Sequence, residues 1–141
     1  MLSVYQRKNI ILENNKSILV IDDEAHIRRV IELKLKNRGY HVITAIDGKE
    51  GLEIIREQKP DVVITDIMMP KLDGRSLSEQ TDSLKAEWPF LTIIITCRIS
   101  PDEHTWIRKM KDTMLIEKPF SPSKLIGHID RYFSCLQQSA S

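Results

Sequence analysis

Cysteine is scarce in this chain of 141 residues, which contains only Cys97 and Cys135. The two stand far apart, and neither belongs to a CxxC pair or to a cysteine and histidine spacing that binds zinc. We therefore expect neither a structural zinc site nor a disulfide framework. A reduced, cytoplasmic setting is the simplest expectation.

Long apolar runs and an excess of one charge are missing as well. The cluster Ile10-Ile11-Leu12 is too short for the apolar region of a signal peptide, and no stretch approaches the roughly 20 apolar residues of a membrane span. The 21 Lys and Arg residues nearly balance the 20 Asp and Glu residues, and they form no run. We expect a soluble protein without membrane association and without direct DNA binding.

What the chain does contain is a regular alternation of short apolar strands and amphipathic helices. Strands are predicted near residues 17–21, 41–45, 61–65, 91–96 and 114–116. A helix follows each strand, and the predicted apolar faces include Val30 in the first helix, Trp88 in the third and Leu136 in the last. The length predicts one domain, 17–136, between an N-terminal extension, 1–16, and a C-terminal tail, 137–141.

Five strands alternating with five helices predict an α/β fold, a doubly wound parallel sheet with helices on both faces. Ligands bind such sheets at the carboxyl edge of the strands. The predicted strand ends bring three acids, one hydroxyl and one amine to that edge: Asp22, Asp23, Asp66, Thr96 and Lys118.

These residue types in one place indicate phosphoryl chemistry. Carboxylates held together raise each other's pKa unless a cation neutralises them, and Mg²⁺ prefers oxygen ligands of this kind. Lys118 and the Thr96 hydroxyl could then bind phosphoryl oxygens. Asp66, at the end of a buried strand, is the best placed nucleophile.

Each residue also has an ordinary structural explanation. Asp22 and Asp23 could be acids that cap the first helix, and Asp66 could cap a loop turn. Thr96 could be a strand-end threonine, and Lys118 one of many solvated lysines. Taken singly, these explanations are the better ones. They explain the five residues together less well, because five unrelated residues would have to meet by chance at the same edge of the sheet.

The sequence resembles a response-regulator receiver domain of two-component signalling, and in particular the single-domain chemotaxis receivers. The matching pieces are Val20-Ile21-Asp22-Asp23-Glu24, Asp61 to Pro70 with Asp73-Gly74, Thr96, and Lys118-Pro119-Phe120. The resemblance implies a flavodoxin-like fold with strand order 2-1-3-4-5. It also implies that Asp66 accepts phosphate from a sensor histidine kinase.

The resemblance further implies a role for each residue of the site. Asp23, Asp66 and the backbone carbonyl of Met68 would ligate Mg²⁺, with Asp22 acting largely through bound water. Lys118 and Thr96 would hold the phosphoryl oxygens. The Lys118-Pro119 bond would be cis.

Several residues depart from the family pattern. Leu115 stands where the family usually has Tyr or Phe, Lys111-Asp112 replaces a common Gly-Ala, and Cys97, expected to be a packing residue, follows Thr96. Leucine lacks a ring to report phosphorylation, so we expect the loop from Cys97 to Ser100 to carry more of the signal. In this family the residues two after the acceptor and two after the switch hydroxyl tune hydrolysis, and here they are Met68 and Arg98. Neither offers a carboxylate or amide to orient an attacking water, so the resemblance predicts slow self-dephosphorylation.

Because few residues follow the last helix, we expect a stand-alone receiver that signals through a changed surface and is no enzyme in the ordinary sense. Two alternatives stay open: a phosphorelay intermediate that passes phosphate to a histidine phosphotransferase, and a pseudo-receiver that binds a partner regardless of phosphate. A monomer or weak dimer is expected. The sequence does not identify the kinase, the downstream protein or the signal.

Overall fold

The computed structural model describes residues 16–97 and 99–140, with side chains described as far as residue 137. Its strands are short runs rich in β-branched residues, which suit a buried, pleated sheet. They are β1 (Ser17–Ile21), β2 (His41–Ala45), β3 (Val62–Asp66), β4 (Leu91–Thr96) and β5 (Thr113–Glu117). All neighbouring strands pair in parallel, in the order β2-β1-β3-β4-β5. The predicted fold class and strand order are confirmed.

Five α-helices connect and follow the strands, as predicted. They are α1 (Ala25–Asn37), α2 (Gly48–Gln58), α3 (Gly74–Thr81), α4 (Pro101–Ile107) and α5 (Pro122–Ala140). The predicted third helix is shorter than its apolar pattern suggested, because a 3-10 helix (Asp82–Ala86) replaces its last turns. Among the described residues, no helix has the length and apolar character needed to cross a membrane.

Helix starts follow local capping chemistry. The side chains of Asp47 and Asp73 accept backbone N–H bonds from the third residue of α2 and α3. Ser100 and Glu103 form a reciprocal capping box on α4, whose first residue is Pro101. These caps fix the starts of α2, α3 and α4 in the connections that follow β2, β3 and β4.

The core consists of two apolar layers, one on each face of the sheet. On one face, alternate strand residues such as Ile18 and Ile64 pack with residues of α1 and α5. On the other, the intervening residues such as Leu19 and Val63 pack with α2 and α3. Every residue of β3 is buried, because this central strand is covered on both faces.

Two residues predicted on apolar helix faces are exposed. Val30 is 43% exposed, because Ile31 and Leu35, rather than Val30, face the sheet from α1. Leu136 is 36% exposed, because a helix of 19 residues, about 28 Å long, outruns strands of about 17 Å. The helix also passes the boundary predicted at residue 136 and continues to Ala140. The predicted extension, 1–16, lies outside the described residues except for Lys16, and so does Arg98.

A buried lysine fixes the start of β5. Lys85, in the 3-10 helix, is 8% exposed, and its Nζ donates to the carbonyl of Asp112 at 2.9 Å and to the Thr113 hydroxyl at 3.1 Å. It also donates to the carbonyl of Lys111. Asp112 has a positive φ of 40°, which is uncommon outside glycine. The lysine therefore holds in place the turn that departs from the family's Gly-Ala.

This lysine predicts a pH dependence of stability. Burial, which outweighs the nearby charges of Asp82 and Asp112, lowers the pKa of Lys85 to about 8. Between pH 8 and pH 10 the folded protein therefore loses this proton while the unfolded chain keeps it. We expect the free energy of unfolding to rise by about 2 kcal/mol over this range from this group alone.

Urea unfolding of the wild type and of Lys85→Met at several pH values checks this expectation. The rise should be missing from Lys85→Met and present in Lys109→Met, which removes an exposed lysine. Tyrosines of the unfolded chain also titrate towards pH 10, and they do so equally in all three proteins, so the comparison isolates the contribution of Lys85. The same rise in Lys85→Met as in the wild type would contradict the prediction.

Candidate functional site

The predicted site residues do lie at the carboxyl edge of the sheet. Asp66 is the last residue of β3 and Thr96 the last of β4, while Asp22 and Lys118 directly follow β1 and β5. These four strands are neighbours in the sheet. Asp66 is only 6% exposed, Asp22 and Thr96 are also buried, and Asp23 is exposed to solvent.

Asp66 and Lys118 form the central ion pair of this edge. The Lys118 ammonium lies 2.6 Å from Asp66 Oδ2, and the Met68 backbone N–H donates to Oδ1 at 3.1 Å. Burial alone would lower the pKa of Lys118, but the hydrogen bond and the charge of Asp66 raise it overall. The lysine therefore stays charged and holds a positive charge beside the buried carboxylate.

Asp22 is a second buried carboxylate beside this pair. Burial raises its pKa, and the charge of Asp66 raises it further, against the backbone N–H of Glu24, which donates to Asp22 Oδ1 at 2.8 Å. Glu24 is the N-cap of α1 and makes no side-chain capping bond. The usual capping arrangement, in which the side chain of the N-cap residue accepts an N–H of the first turn, is therefore not made by Glu24.

The backbone around these side chains is held by contacts from several elements. Lys118 N–H donates to the carbonyl of Thr96 at 2.7 Å, which joins the ends of β4 and β5. The Arg28 guanidinium donates to the Asp22 carbonyl at 2.7 Å. Sequence reasoning missed Arg28, since a single arginine on an amphipathic helix gives no signal. The Lys118-Pro119 bond is cis, as the resemblance implied.

Gly74 lets the loop after β3 close against Asp66. A β-carbon at this position would lie 2.6 Å from the Asp66 carbonyl oxygen, which is closer than atoms can approach. The Gly74 N–H instead donates to the carbonyl of Ile67 at 3.0 Å. This contact holds the start of α3 at the end of β3, and the Met68 side chain in the intervening loop is 77% exposed.

The oxygen donors at this edge are chemically suited to a magnesium ion, but among the described residues they do not form a preassembled group of ligands. Within the described part of the chain, no three His, Cys, Asp or Glu side chains form a group that could hold a metal. Magnesium needs only one or two carboxylates, because it keeps several waters. The repulsion between Asp22 and Asp66 is the feature that a cation would relieve.

Two residues that depart from the family pattern, Leu115 and Cys97, lie in the described part of the chain, and Cys97 is not packed as expected. Leu115 is half-buried in the middle of β5, beside Ile94 of β4. Its consequence for signalling stays a prediction. Cys97, expected to pack, is exposed, and so is Cys135 on α5. Cys97 lies beyond the end of β4, where the chain leaves the sheet.

A parallel sheet of this order is the flavodoxin-like arrangement, which binds ligands at its carboxyl edge, and this chain has its aspartate and lysine pair at that edge. Residues 18–130 match the family model of the response regulator receiver domain, and the chain therefore belongs to that family. Receiver domains are phosphoacceptors of two-component response regulators and not enzymes in the ordinary sense.

Two curated relatives are identical to this chain at more than a third of the aligned positions. The chain is 38% identical over 121 residues to the probable transcriptional regulator ycf27 of Guillardia theta, covering 86% of this chain and 46% of that protein. It is 36% identical over 115 residues to the alkaline phosphatase synthesis transcriptional regulatory protein PhoP of Bacillus subtilis, covering 82% and 47%. The chain thus spans just under half the length of these relatives.

Solved structures agree with the family. A CheY-like response regulator receiver domain protein from Methanospirillum hungatei has a TM-score of 0.81 at 25% identity, covering 89% of this chain and 99% of that one. The receiver domain of the Francisella response regulator 1452 has a TM-score of 0.74 at 31% identity, covering 86% and 99%.

The paired carboxylates predict that the site is strained without a cation. In metal-free buffer at pH 7, we expect Asp22→Asn to raise the free energy of unfolding by on the order of 1 kcal/mol. The substitution removes a buried charge repelled by Asp66 and keeps the oxygen that accepts the Glu24 N–H. The gain should shrink as the pH falls through the raised pKa of Asp22, where the wild-type carboxyl becomes neutral.

Denaturation in EDTA and in excess Mg²⁺ measures this effect. In Mg²⁺ the advantage of Asp22→Asn should shrink, because cation binding stabilises the wild type by mass action. Asp61→Asn is the matched control, since Asp61 lies at the opposite edge of the sheet, where it accepts the Ser17 N–H at 2.9 Å. A variant at Asp22 that is less stable than the wild type in EDTA would disprove the repulsion.

Proposed function

We propose that this chain accepts a phosphoryl group on Asp66 from a sensor histidine kinase and signals to a partner protein through the resulting change of its surface. The observation that carries the proposal is the buried Asp66 carboxylate with the Lys118 ammonium 2.6 Å away. The family supports a histidine kinase as donor. Neither the kinase nor the downstream protein is identified.

Each residue of the edge has a part in this transfer. A carboxylate oxygen of Asp66 forms the new bond to phosphorus as the bond from phosphorus to the donor imidazole breaks, and the electron pair leaves with the imidazole. In the proposed transfer, the Lys118 ammonium would pair with the phosphoryl oxygens as the negative charge moves to them from the carboxylate. Thr96, at the end of the strand between β3 and β5, would donate its hydroxyl to the same group.

Magnesium is part of the proposal. Asp22, Asp23, Asp66 and the carbonyl of Met68 are the oxygen donors that would hold it, with water completing the coordination. The ion would supply positive charge to the phosphoryl oxygens and to the carboxylates. The charges of Asp66 and Asp22 both act on the Lys118 ammonium, and the ion would share this load.

The organisation around the receiver stays open to test. The curated relatives are named as transcriptional regulators and are about twice as long as the matched region. Stand-alone action and the absence of direct DNA binding therefore stay predictions about this stretch of chain.

Phosphorylation by a small donor tests the nucleophile. We expect incubation with acetyl phosphate and Mg²⁺ to add one phosphoryl group to the wild type, as measured by intact mass. Asp66→Ala should gain none, because it lacks the attacking oxygen. Asp61→Ala, which removes the aspartate directly before the same strand, should gain the group as the wild type does.

The magnesium requirement is tested in the same assay. Replacing Mg²⁺ by EDTA should suppress the adduct, since the carboxylates would then repel an incoming phosphate. An adduct that persists in Asp66→Ala would remove Asp66 as the acceptor. An undiminished rate in EDTA would remove magnesium from the mechanism.

A second prediction concerns the lifetime of the phosphoryl group. Met68 lies two residues after Asp66 with its side chain exposed, and its thioether cannot orient an attacking water as an amide can. We expect Met68→Asn to lose phosphate several-fold faster than the wild type, followed by intact mass after removal of the donor. Met68→Leu is the matched control and should stay slow. Equal or faster loss from the wild type would refute slow self-dephosphorylation.

A further inference from the structure

β2 is an edge strand that pairs only with β1 within the described part of the chain. From His41 to Ile46 the sequence has no Lys, Arg, Asp or Glu, no proline and no glycine. Proteins usually protect exposed edges with charged residues or proline, because the unpaired N–H and C=O groups attract a further strand. The opposite edge has such protection, since Asp112 directly precedes β5 and Glu117 ends it. β2 is therefore the edge of this sheet that is open to pairing.

The hydrogen bonds of β2 show which of its backbone groups face outwards. The His41 N–H donates to the carbonyl of the residue before β1 at 3.1 Å, and the Ala45 carbonyl accepts the N–H of the residue after β1 at 3.2 Å. Backbone groups alternate in direction along a strand, so Ile43 also faces β1. The N–H and C=O groups of Val42 and Thr44 therefore point away from the sheet.

Apolar side chains along this edge are only partly covered. Val42 and Ile43 are half-buried, one on each face of the sheet, and Ile46 is 54% exposed. An open groove of about 580 Å³ lies beside the edge, lined by Thr44 and by residues of α1 that include the exposed Leu33. A partner that paired with β2 would cover this surface as well.

The strand is its own complement in an antiparallel arrangement. If a twofold axis passes beside Ile43, each Val42 lies opposite the Thr44 of the other copy. Both residues have outward backbone groups, so the two pairs would make about four hydrogen bonds. The two Ile43 side chains would then pack against each other across the axis.

The charges beside the edge also match a second copy. The face of α1 that lines the groove carries both signs, with Arg29 three residues before Glu32. A purely acidic or purely basic partner would leave one of these signs without a counterpart. An antiparallel copy of the same helix supplies both.

We propose that β2 is an interaction surface for a second copy of this chain, and that two copies join their sheets edge to edge through antiparallel β2 strands. β1 separates β2 from β3, so this surface is remote from Asp66 and the pairing does not rest on the function proposed for that residue. One strand pair with two flanking helices is a small interface, for which we expect a dissociation constant on the order of 100 µM.

Disulfide cross-linking tests the register, in a chain whose Cys97 and Cys135 are replaced by serine. Ile43→Cys places one cysteine beside the twofold axis, where the two Cα atoms would lie about 4.5 Å apart, within the range that a disulfide spans. Val42→Cys is the matched control, because its two Cα atoms would lie roughly 9 Å apart, too far for a disulfide. Under mild oxidation, followed by intact mass, we expect Ile43→Cys to form a covalent dimer on the order of 10-fold faster than Val42→Cys.

Variants at Thr44 test the backbone contacts. Thr44→Pro deletes an outward N–H, and proline is tolerated where the N–H of an edge strand faces solvent. We expect it to slow the cross-linking of Ile43→Cys by on the order of 10-fold, and Thr44→Lys should slow it as well by placing a charge on the edge. Thr44→Ser keeps the N–H and should cross-link at the unchanged rate. Circular dichroism establishes that each variant is folded.

The outcomes separate a second copy from other occupants. Equal rates for Ile43→Cys and Val42→Cys, or no covalent dimer from Ile43→Cys, would overturn the pairing of two copies. If removal of residues 1–12 then allowed the dimer to form, those residues would be the occupant of the edge instead. Adding Asp66→Ala to the Ile43→Cys chain should leave the cross-linking rate unchanged, so a failure of the function proposed for Asp66 is distinguished from a failure of this interface.

Discussion

The structure depends on a carboxylate that is buried at the end of a buried strand. Burying an unpaired charge is costly, and the Lys118 ammonium at 2.6 Å from Asp66 offsets that cost. The strand order determines what lies between the two residues of this pair. Because β4 lies between β3 and β5, the lysine must reach across the end of β4, where Thr96 stands. A change of charge on Asp66 therefore alters the electrostatic environment at the ends of three neighbouring strands, β3, β4 and β5.

β5 is held by a lysine at each of its ends. Lys85 binds the turn that enters the strand, and Lys118 leaves it towards Asp66. The two contacts differ in kind. Lys85 donates to uncharged oxygens, whereas the partner of Lys118 is the carboxylate of Asp66, the proposed phosphoacceptor. The proposed reaction would therefore change the contact at the exit of the strand and leave the contact at its entry unaltered.

Sequence periodicity predicted the helices and strands correctly where the local pattern and the tertiary environment agreed. The strand positions, the sheet order and the edge shared by Asp22, Asp66, Thr96 and Lys118 follow from the alternation of elements and from the family motifs. The failures have physical causes. Periodicity cannot show that the sheet ends before Leu136, nor that a 3-10 turn replaces the end of the third helix. Lys85 was also invisible, because its acceptors lie 26 to 28 residues away in the sequence.

The length of α5 exceeds what the core can hold. Its 19 residues form a rod of about 28 Å, and Leu125, Ile129 and Phe133 anchor it in the core over about three turns. The part beyond Phe133 extends about 10 Å further. Because the rod begins four residues after Lys118, one rigid element connects the edge beside Asp66 with a terminal segment whose side chains, from 134 to 137, are exposed.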